Sequence, residues 1–239
     1  MIEALKRLFP HEWRQEMKRR LFAHQDMRTR LENLRRAGFS PSGVIDGGAY
    51  RGDWTVEFWN IWPDTPVLMV EPQPGCRELL ERVATKVSGS SIASCALGDS
   101  CGVMAFTLGE SNSGIRASKN IEEGDIEVPV WTLDALLEER SHGFSPDFLK
   151  LDLQGYELHA LRGAGARLAQ FEVVLLEISI LRIGDVPIFR EVDRFMEEWG
   201  YRIYDIIPQY YRPRDGALWQ MDAFYVREES ALIASRAWG

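Results

Sequence analysis

The chain has 239 residues, of which 45% are hydrophobic and 27% are charged, a composition that excludes intrinsic disorder and fibrous repeats. No apolar run approaches the roughly 18 residues of a membrane span, and charged residues interrupt the N-terminus where a signal peptide is apolar, so we expect a cytoplasmic protein without a membrane span. The net charge is −8 and the basic residues are concentrated in the first 37 positions, so the acidic remainder argues against nucleic acid as a partner.

The first 37 residues have the hydrophobic spacing of helices, because apolar side chains recur at three- and four-residue steps. Pro10 is expected to divide this stretch into two helices, and Gly38 is a helix stop signal. The sequence therefore predicts a helical N-terminal extension over residues 1–38, a main domain over 39–230 and a C-terminal tail over 231–239. The apolar side chains of the extension suit a homodimer surface or a lid, and the sequence leaves both open.

Strand-like and helix-like segments alternate from residue 44 onward. Short buried strands are predicted at 44–46, 67–70, 92–95, 148–151 and 171–178. Helices are predicted at 53–62, at 75–86, from near residues 154–157 through Leu161, and at 188–199. Alternation of this kind predicts a parallel sheet with helices on both faces.

Two regions interrupt the alternation. Residues 103–108 and 126–131 predict two strands around a long polar loop, and we expect Ser111–Lys119 in that loop to close as a lid over the site. The strand-like runs 201–207 and 218–226 are joined by a turn-rich segment that leaves no room for a crossover helix, so the last strand should be antiparallel. A doubly wound α/β sheet that ends in such a hairpin is typical of class I methyltransferases, whereas a dinucleotide-binding sheet normally ends on a parallel strand.

Two motifs follow the first two strands. VIDGGAYRGDW spans residues 44–54, where Gly48 allows backbone to approach a ligand and Gly52 allows a tight helix–strand contact. The spacing is not GxGxxG, so it fits a nucleoside cofactor without a pyrophosphate. Glu71 ends the second strand, at the place where an acid binds two ribose hydroxyls. NAD and S-adenosylmethionine both carry such a ribose, so Glu71 does not distinguish them.

A third motif, CALGDSCG, follows the third strand at residues 95–102. Backbone at Ala96 and Leu97 and the side chain of Asp99 are placed to contact an adenine, although a plain β-turn explains the same residues. The cysteines lack the spacing of a zinc site or a disulfide framework and are predicted to be buried free thiols. They are Cys76, Cys95 and Cys101.

The most informative motif is PDFLKLDLQGYELHALRGA at residues 146–164. It predicts a strand that ends at Lys150-Leu151-Asp152 and a helix that begins near residues 154–157. Alternate residues of a strand share a face, so Lys150 and Asp152 should point together into the crevice at the carboxyl ends of the strands. Charged groups beside a core strand are costly to bury, which favours a functional role.

These blocks together resemble the FkbM-type S-adenosylmethionine-dependent methyltransferases. The resemblance is carried between residues 40 and 228, in order, by DGGAYRG, VEP, ALGD, WTLDALL, FLKLDLQGYELHALRGA, VVLLEIS and QMDAFYV. It implies a class I methyltransferase fold, S-adenosylmethionine as cofactor, and methyl transfer to a hydroxyl of a sugar or a secondary metabolite, as in natural-product biosynthesis. Two positions depart from the family: Tyr50 follows Ala49 where many members have Asn, and Gln154 replaces a Glu that could act as a base.

The resemblance and the motifs together predict a set of cofactor-binding residues. They are Asp46, Gly48, Ala49, Gly52, Glu71, Pro72, Ala96, Leu97, Asp99 and Asp152. Methyl transfer to a hydroxyl needs a positioned acceptor and a base. Asp152 is the first candidate near the acceptor, Lys150 is placed to orient it or stabilise an oxyanion, and Glu177 at the end of the fifth strand is placed to bind it. Asp152 and Glu177 are also the candidate ligands of a Mg²⁺ ion.

Two further residues and two further functions stay open. His159 is expected to be a packing or solvent-side residue, and Asp222 is expected to be structural. The expected partner is a small-molecule or glycosyl acceptor. An NAD-dependent oxidoreductase would need GxGxxG and another parallel strand. A non-catalytic binding protein with this fold would be expected to have lost acids such as Asp46, Glu71 and Asp152.

Overall fold

The central sheet is built from short strands that alternate with helices. The coordinates are a computed structural model, which describes residues 27–107, 114–115, 125–140, 143–182, 184 and 186–235. The helices predicted before residue 27 and most of the predicted lid lie outside the described residues. No helix in these ranges is long and apolar enough to cross a membrane.

The described elements are numbered here in chain order. The helices are α1 (Met27–Arg36), α2 (Asp53–Trp59), α3 (Arg77–Ala84), α4 (Leu133–Glu139), α5 (Glu157–Ala164) and α6 (Phe189–Glu198), with 3₁₀ turns at Pro74–Cys76, Gly165–Gln170 and Ala231–Ile233. The strands are β1 (Val44–Gly47), β2 (Val67–Val70), β3 (Ser91–Ala93), β4 (Ala96–Leu97), β5 (Gly102–Thr107), β6 (Gly114–Ile115), β7 (Asp125–Trp131), β8 (Phe148–Leu151), β9 (Val173–Ser179), β10 (Tyr201–Tyr211) and β11 (Leu218–Arg227).

Seven strands form the central sheet in the order β10-β11-β9-β8-β1-β2-β3. The pairs from β9 to β3 are parallel, whereas β11 is antiparallel to both β9 and β10. The prediction of a mostly parallel sheet with an antiparallel C-terminal strand is therefore confirmed. The order reverses at β1, and ligands of open α/β sheets bind beside such a reversal, outside the carboxyl ends of the strands.

Side chains alternate along the strands of the central sheet and pack into two hydrophobic cores, one on each face. Val44, Phe148 and Leu175 pack on one face of the sheet with α1, α2 and α3. Ile45 and Leu149 pack on the other face with α4, α5 and α6. Successive residues of a strand point to opposite faces, so a sheet that is covered on both sides needs the continuous apolar runs that this sequence contains.

The third strand is shorter than predicted. It ends at Ala93, which pairs with Val70, the last residue of β2. Beyond that point the central sheet offers no further partner, so Ala96 pairs instead with Val130 of β7. Strands β4, β7, β5 and β6 thereby form a second, four-stranded sheet. Only Ile92 and Ala93 of the predicted strand 92–95 therefore lie in β3, and the next two residues lead into the second sheet.

Three smaller details complete the comparison with the predictions. Helix α5 begins at Glu157, the last of the residues 154–157 near which its start is predicted, because Gln154 and Gly155 have φ angles of 55° and 96°, outside the helical region. Helix α4 was not predicted; Thr132 begins it by accepting a hydrogen bond from the backbone N–H of Ala135 at 3.1 Å. Cys76 and Cys95 are buried free thiols, but Cys101 is exposed because it lies in the turn before β5.

Candidate active site

The glycine loop after β1 fits tightly against the loop after β8. Gly48 has a φ of +73°, and a Cβ placed there would lie 1.9 Å from the carbonyl oxygen of Asp152. A Cβ at Gly52 would lie 3.2 Å from Leu80 and from Val83, so its close contact is with α3 rather than with a strand. The backbone N–H groups of Gly48 and Ala49 both donate to Val70. This loop thus holds the ends of β1, β2 and β8 together.

A buried ion pair lies beneath the glycine loop. Asp46 is completely buried, and its Oδ1 lies 2.9 Å from Nζ of Lys150. Its Oδ2 accepts a hydrogen bond from Thr55 Oγ1 at 2.6 Å. Lys150 also donates to the carbonyl oxygens of Gly47 and Gly48, at 3.3 and 3.1 Å. Burial opposes the charge on Lys150, but the neighbouring carboxylates outweigh it and raise its pKa.

The charges of Asp46 and Lys150 therefore interact with each other, and Lys150 also binds the backbone of the glycine loop. Register explains the contact, because the two residues are direct partners across β1 and β8. The alternation that directs them into the protein also directs Val44 and Phe148 into the core. In this structure the pair supports the shape of the glycine loop.

Glu71 lies at the carboxyl end of β2, next to the same loop. Its Oε2 accepts a hydrogen bond from the backbone N–H of Tyr50 at 2.8 Å, and its Oε1 accepts one from Gln73 at 2.9 Å. Burial raises the pKa of Glu71, and these two N–H groups counteract the rise. An ionised carboxylate has about four acceptor positions, so two N–H donors leave capacity for two hydroxyl groups. The arrangement fits the ribose of a nucleoside cofactor, with Pro72 following directly in the chain.

Asp152 and Glu177 come together, as expected, but through a residue between them. Nε2 of Gln154 lies 2.9 Å from Oδ1 of Asp152 and 3.1 Å from Oε2 of Glu177. Gln220 also donates to Oε2 of Glu177, at 3.5 Å. Burial, followed by the charges of nearby carboxylates, raises the pKa of Glu177 to about 9. Glu177 therefore keeps its proton at neutral pH.

The two predicted metal ligands do not fit a Mg²⁺ site. An amide N–H of Gln154 lies where the ion would have to be, and it donates to both carboxyl groups. Mg²⁺ requires oxygen ligands arranged around it. Within the described residues, no three His, Cys, Asp or Glu side chains are arranged to hold a metal ion.

The structure places a further carboxyl group, that of Asp222, next to these residues, although the sequence predicts only a structural role for it. Asp222 on β11 lies directly opposite Glu177 on β9, and Oδ2 of Asp222 accepts a hydrogen bond from Gln209 at 2.5 Å. Burial raises its pKa to about 7, with Asp152 adding to the effect. The only signal in the sequence was a polar residue in an apolar strand, and the register that brings it to Glu177 is not encoded locally. We call Asp152, Glu177 and Asp222 the carboxyl cluster.

Glu157, at the start of α5, was also missed. It is buried, and its Oε1 accepts hydrogen bonds from the backbone N–H groups of Leu153 and Gly155, at 2.7 and 3.2 Å. Burial raises its pKa to about 7. Its role is to hold the turn that presents Asp152 and Gln154, because both of its hydrogen bonds are to that turn.

The third motif lies beside α5. Ala96 and Leu97 are buried in β4, and a Cβ at Gly47 would lie 3.1 Å from Leu97, which places this segment against the end of β1. Asp99 binds Nδ1 of His159 at 2.8 Å, and this contact lowers the pKa of Asp99. His159 therefore has a carboxylate partner, which was not predicted for a packing or solvent-side residue. Its ring also stacks on Tyr156.

Comparison with known proteins agrees with this architecture. The sequence model of the Methyltransferase FkbM domain matches residues 46–203, well over half of the chain. Among solved structures, the FkbM methyltransferase of Methylobacillus flagellatus KT has 16% sequence identity and a TM-score of 0.50, over 76% of this chain and 43% of that one. This chain thus matches less than half the length of that protein. No protein of curated function matches the sequence.

Two further solved structures are similar to this chain at a lower score. The magnesium protoporphyrin IX methyltransferase of Synechocystis PCC 6803, solved with bound SAM, has 9% identity and a TM-score of 0.48, over 84% of this chain and 79% of that one. The precorrin-6y C5,15-methyltransferase of Geobacter metallireducens GS-15 has 14% identity and a TM-score of 0.46, over 84% and 89%. The fold, with its antiparallel β11, is that of class I methyltransferases, and by the match over residues 46–203 the chain belongs to the FkbM methyltransferase family.

Proposed function

We propose that the protein transfers a methyl group from S-adenosylmethionine to a hydroxyl of a sugar or a secondary metabolite. The observation that supports this most strongly is the division of the carboxyl edge into two parts. Glu71 at β2 has acceptor capacity for a ribose. The carboxyl cluster stands at β8, β9 and β11, on the other side of β1. The first part suits the cofactor and the second suits a hydroxyl acceptor.

The cofactor, when bound, supplies an electrophilic methyl group on a positively charged sulfur. The ion pair of Asp46 and Lys150 holds the glycine loop in shape, and Glu71 binds and orients the ribose. Carboxyl groups in the same crevice favour a cationic ligand. These residues therefore fit S-adenosylmethionine in both shape and charge.

A hydroxyl acceptor requires a group that takes up its proton. An aliphatic hydroxyl is a weak nucleophile, and a base works best when its pKa lies near the working pH. Burial raises the pKa of Asp222 to about 7, so this carboxyl group is suited to take up the proton, whereas the pKa of Glu177 is raised to about 9. We therefore assign proton uptake to the carboxyl cluster, with Asp152 in contact with the acceptor.

Titration of the purified protein with S-adenosylhomocysteine, with NAD as the comparison, tests the cofactor class. We expect Glu71→Gln to weaken the binding of S-adenosylhomocysteine about tenfold or more, because it replaces a charged acceptor of two hydroxyl hydrogen bonds. Glu78→Gln is the matched control, since Glu78 lies exposed on α3. Equal affinities in wild type and Glu71→Gln, or binding of NAD in place of S-adenosylhomocysteine, would overturn the assignment. Transfer of a labelled methyl group to glycosyl and polyketide acceptors then identifies the hydroxyl.

The pKa of Asp222 predicts a pH dependence of binding that differs between S-adenosylmethionine and S-adenosylhomocysteine. As the pH rises through about 7, Asp222 loses its proton and adds a negative charge to the crevice. Affinity for S-adenosylmethionine, which is cationic at sulfur, should then rise by roughly threefold to tenfold, while affinity for the neutral S-adenosylhomocysteine stays nearly constant. Asp222→Asn should remove the difference. Calorimetry below and above the transition checks this, and parallel pH profiles for both ligands would contradict it.

A further inference from the structure

A second opening lies between α5 and α6, outside the ribose position at Glu71. It has a volume of about 680 Å³, within the usual range for ligand pockets. Its apolar lining comes from Leu158, Val186 and Phe195. Gln154 also lines it, and the amide of Gln154 bridges the carboxyl groups of Asp152 and Glu177. This interhelical cleft therefore adjoins the carboxyl cluster through Gln154.

Three arginines line the interhelical cleft: Arg162, Arg182 and Arg194. Arg182 binds Glu191 at 2.6 Å, and Arg194 binds Glu198 through its Nε at 3.1 Å, which leaves further N–H groups on each guanidinium. Arg162 forms no ion pair within the described ranges, although its charge contributes to the lowered pKa of Asp99. Glu191 and Glu198 also line the cleft, so the positive charge in excess of these two pairs comes from Arg162, and it favours an anionic ligand.

The position of Arg162 sets a distance along the cleft. Arg162 lies five residues after Glu157, where α5 begins beside Gln154, and this corresponds to roughly 8 Å along the helix axis. A molecule that extends along the cleft from Gln154 by about this length would reach Arg162. That length is similar to the span of a single sugar ring with a charged substituent.

We propose that the interhelical cleft binds the phosphate of a phosphorylated acceptor and thereby directs its hydroxyl to the carboxyl cluster. The proposal rests on the proposed function, because it names the acceptor class of that site. Arg162 receives the phosphate, since a guanidinium binds phosphate oxygens in a bidentate manner. Arg182 and Arg194 contribute their remaining N–H groups. The apolar side chains contact the body of the molecule.

Calorimetry with inorganic phosphate at constant ionic strength tests the cleft without knowledge of the acceptor. We expect Arg162→Ala to weaken phosphate binding about tenfold or more, and Arg162→Lys to weaken it less, because lysine keeps the charge but loses the bidentate geometry. Arg190→Ala is the control, because Arg190 lies exposed on α6 but does not line the cleft. No phosphate binding by the wild type, or equal losses in Arg162→Ala and Arg190→Ala, would overturn the proposal.

Two further measurements keep this proposal separate from the proposed function. Acetate should compete poorly with phosphate; equal competition would overturn the choice of a phosphate group. Phosphate binding should persist in Glu71→Gln, whereas binding of S-adenosylhomocysteine should persist in Arg162→Ala. If phosphate binds but S-adenosylhomocysteine does not, the methyltransferase function fails and the anion site remains. The reverse result rejects the anion site alone.

Discussion

Replacing Lys150 with methionine is expected to lower the free energy of unfolding by about 3 to 5 kcal/mol, because it leaves a buried carboxylate without its partner. Asp46 is completely buried, and after the substitution only Thr55 would remain bonded to its side chain. Methionine keeps most of the volume of the lysine stem, so the loss reports on charge rather than on packing. Urea denaturation followed by circular dichroism measures the change.

The double variant Asp46→Asn with Lys150→Met is the control for this effect. Neither residue then carries a charge, so the double variant should be more stable than Lys150→Met alone. If the single and double variants unfold at the same urea concentration, the ion pair does not stabilise the loop as argued. The cofactor affinity of the double variant also separates the structural role of the pair from any direct contact with ligand.

Replacing Gly48 with alanine is the second change with a large expected effect. The new Cβ would lie 1.9 Å from the carbonyl oxygen of Asp152, and the residue would have to keep a φ of +73°. Strain and overpacking together should lower the free energy of unfolding by about 2 to 5 kcal/mol. The loop after β8 must also move, so we expect weaker binding of S-adenosylhomocysteine and lower methyl transfer in the same variant.

Gly216 offers a matched control for the Gly48 substitution. It has a φ of +71°, but a Cβ placed there has no neighbour within 4 Å. Gly216→Ala should therefore show the backbone strain alone, about 1 to 2 kcal/mol, and leave cofactor binding unchanged. Equal stability losses in the two variants would mean that the contact between the glycine loop and Asp152 contributes nothing.

Residues at the ends of different strands have different proposed roles in this site. The Asp46–Lys150 pair supports the glycine loop, and Glu71 presents acceptor oxygens next to that loop. The carboxyl cluster lies on the opposite side of β1 from Glu71. Separation of this kind has a consequence for mutagenesis. Changes at Glu71 should act mainly on cofactor binding, and changes in the cluster mainly on the transfer step.

Much of the scaffold could be predicted because its signals are local. Strands β2 and β8 have the predicted bounds, because a strand buried on both faces needs mostly apolar residues; β2 is apolar throughout, and in β8 only Lys150 is charged. The antiparallel β11 followed from a connection that leaves no room for a crossover helix. The position of Glu71 followed from the end of its strand. In each case the information lies within about a dozen neighbouring residues.

By itself, therefore, the sequence determined the family, the sheet and the presence of acids at the ends of its strands. Only the tertiary structure decided which of those acids meet. Asp222 faces Glu177 through the register of two strands far apart in the chain, and Gln154, whose φ is 55°, reaches both Asp152 and Glu177 from the turn between β8 and α5. The physical reason is that periodicity specifies which face a side chain occupies, whereas its partner depends on how distant strands align when the core packs.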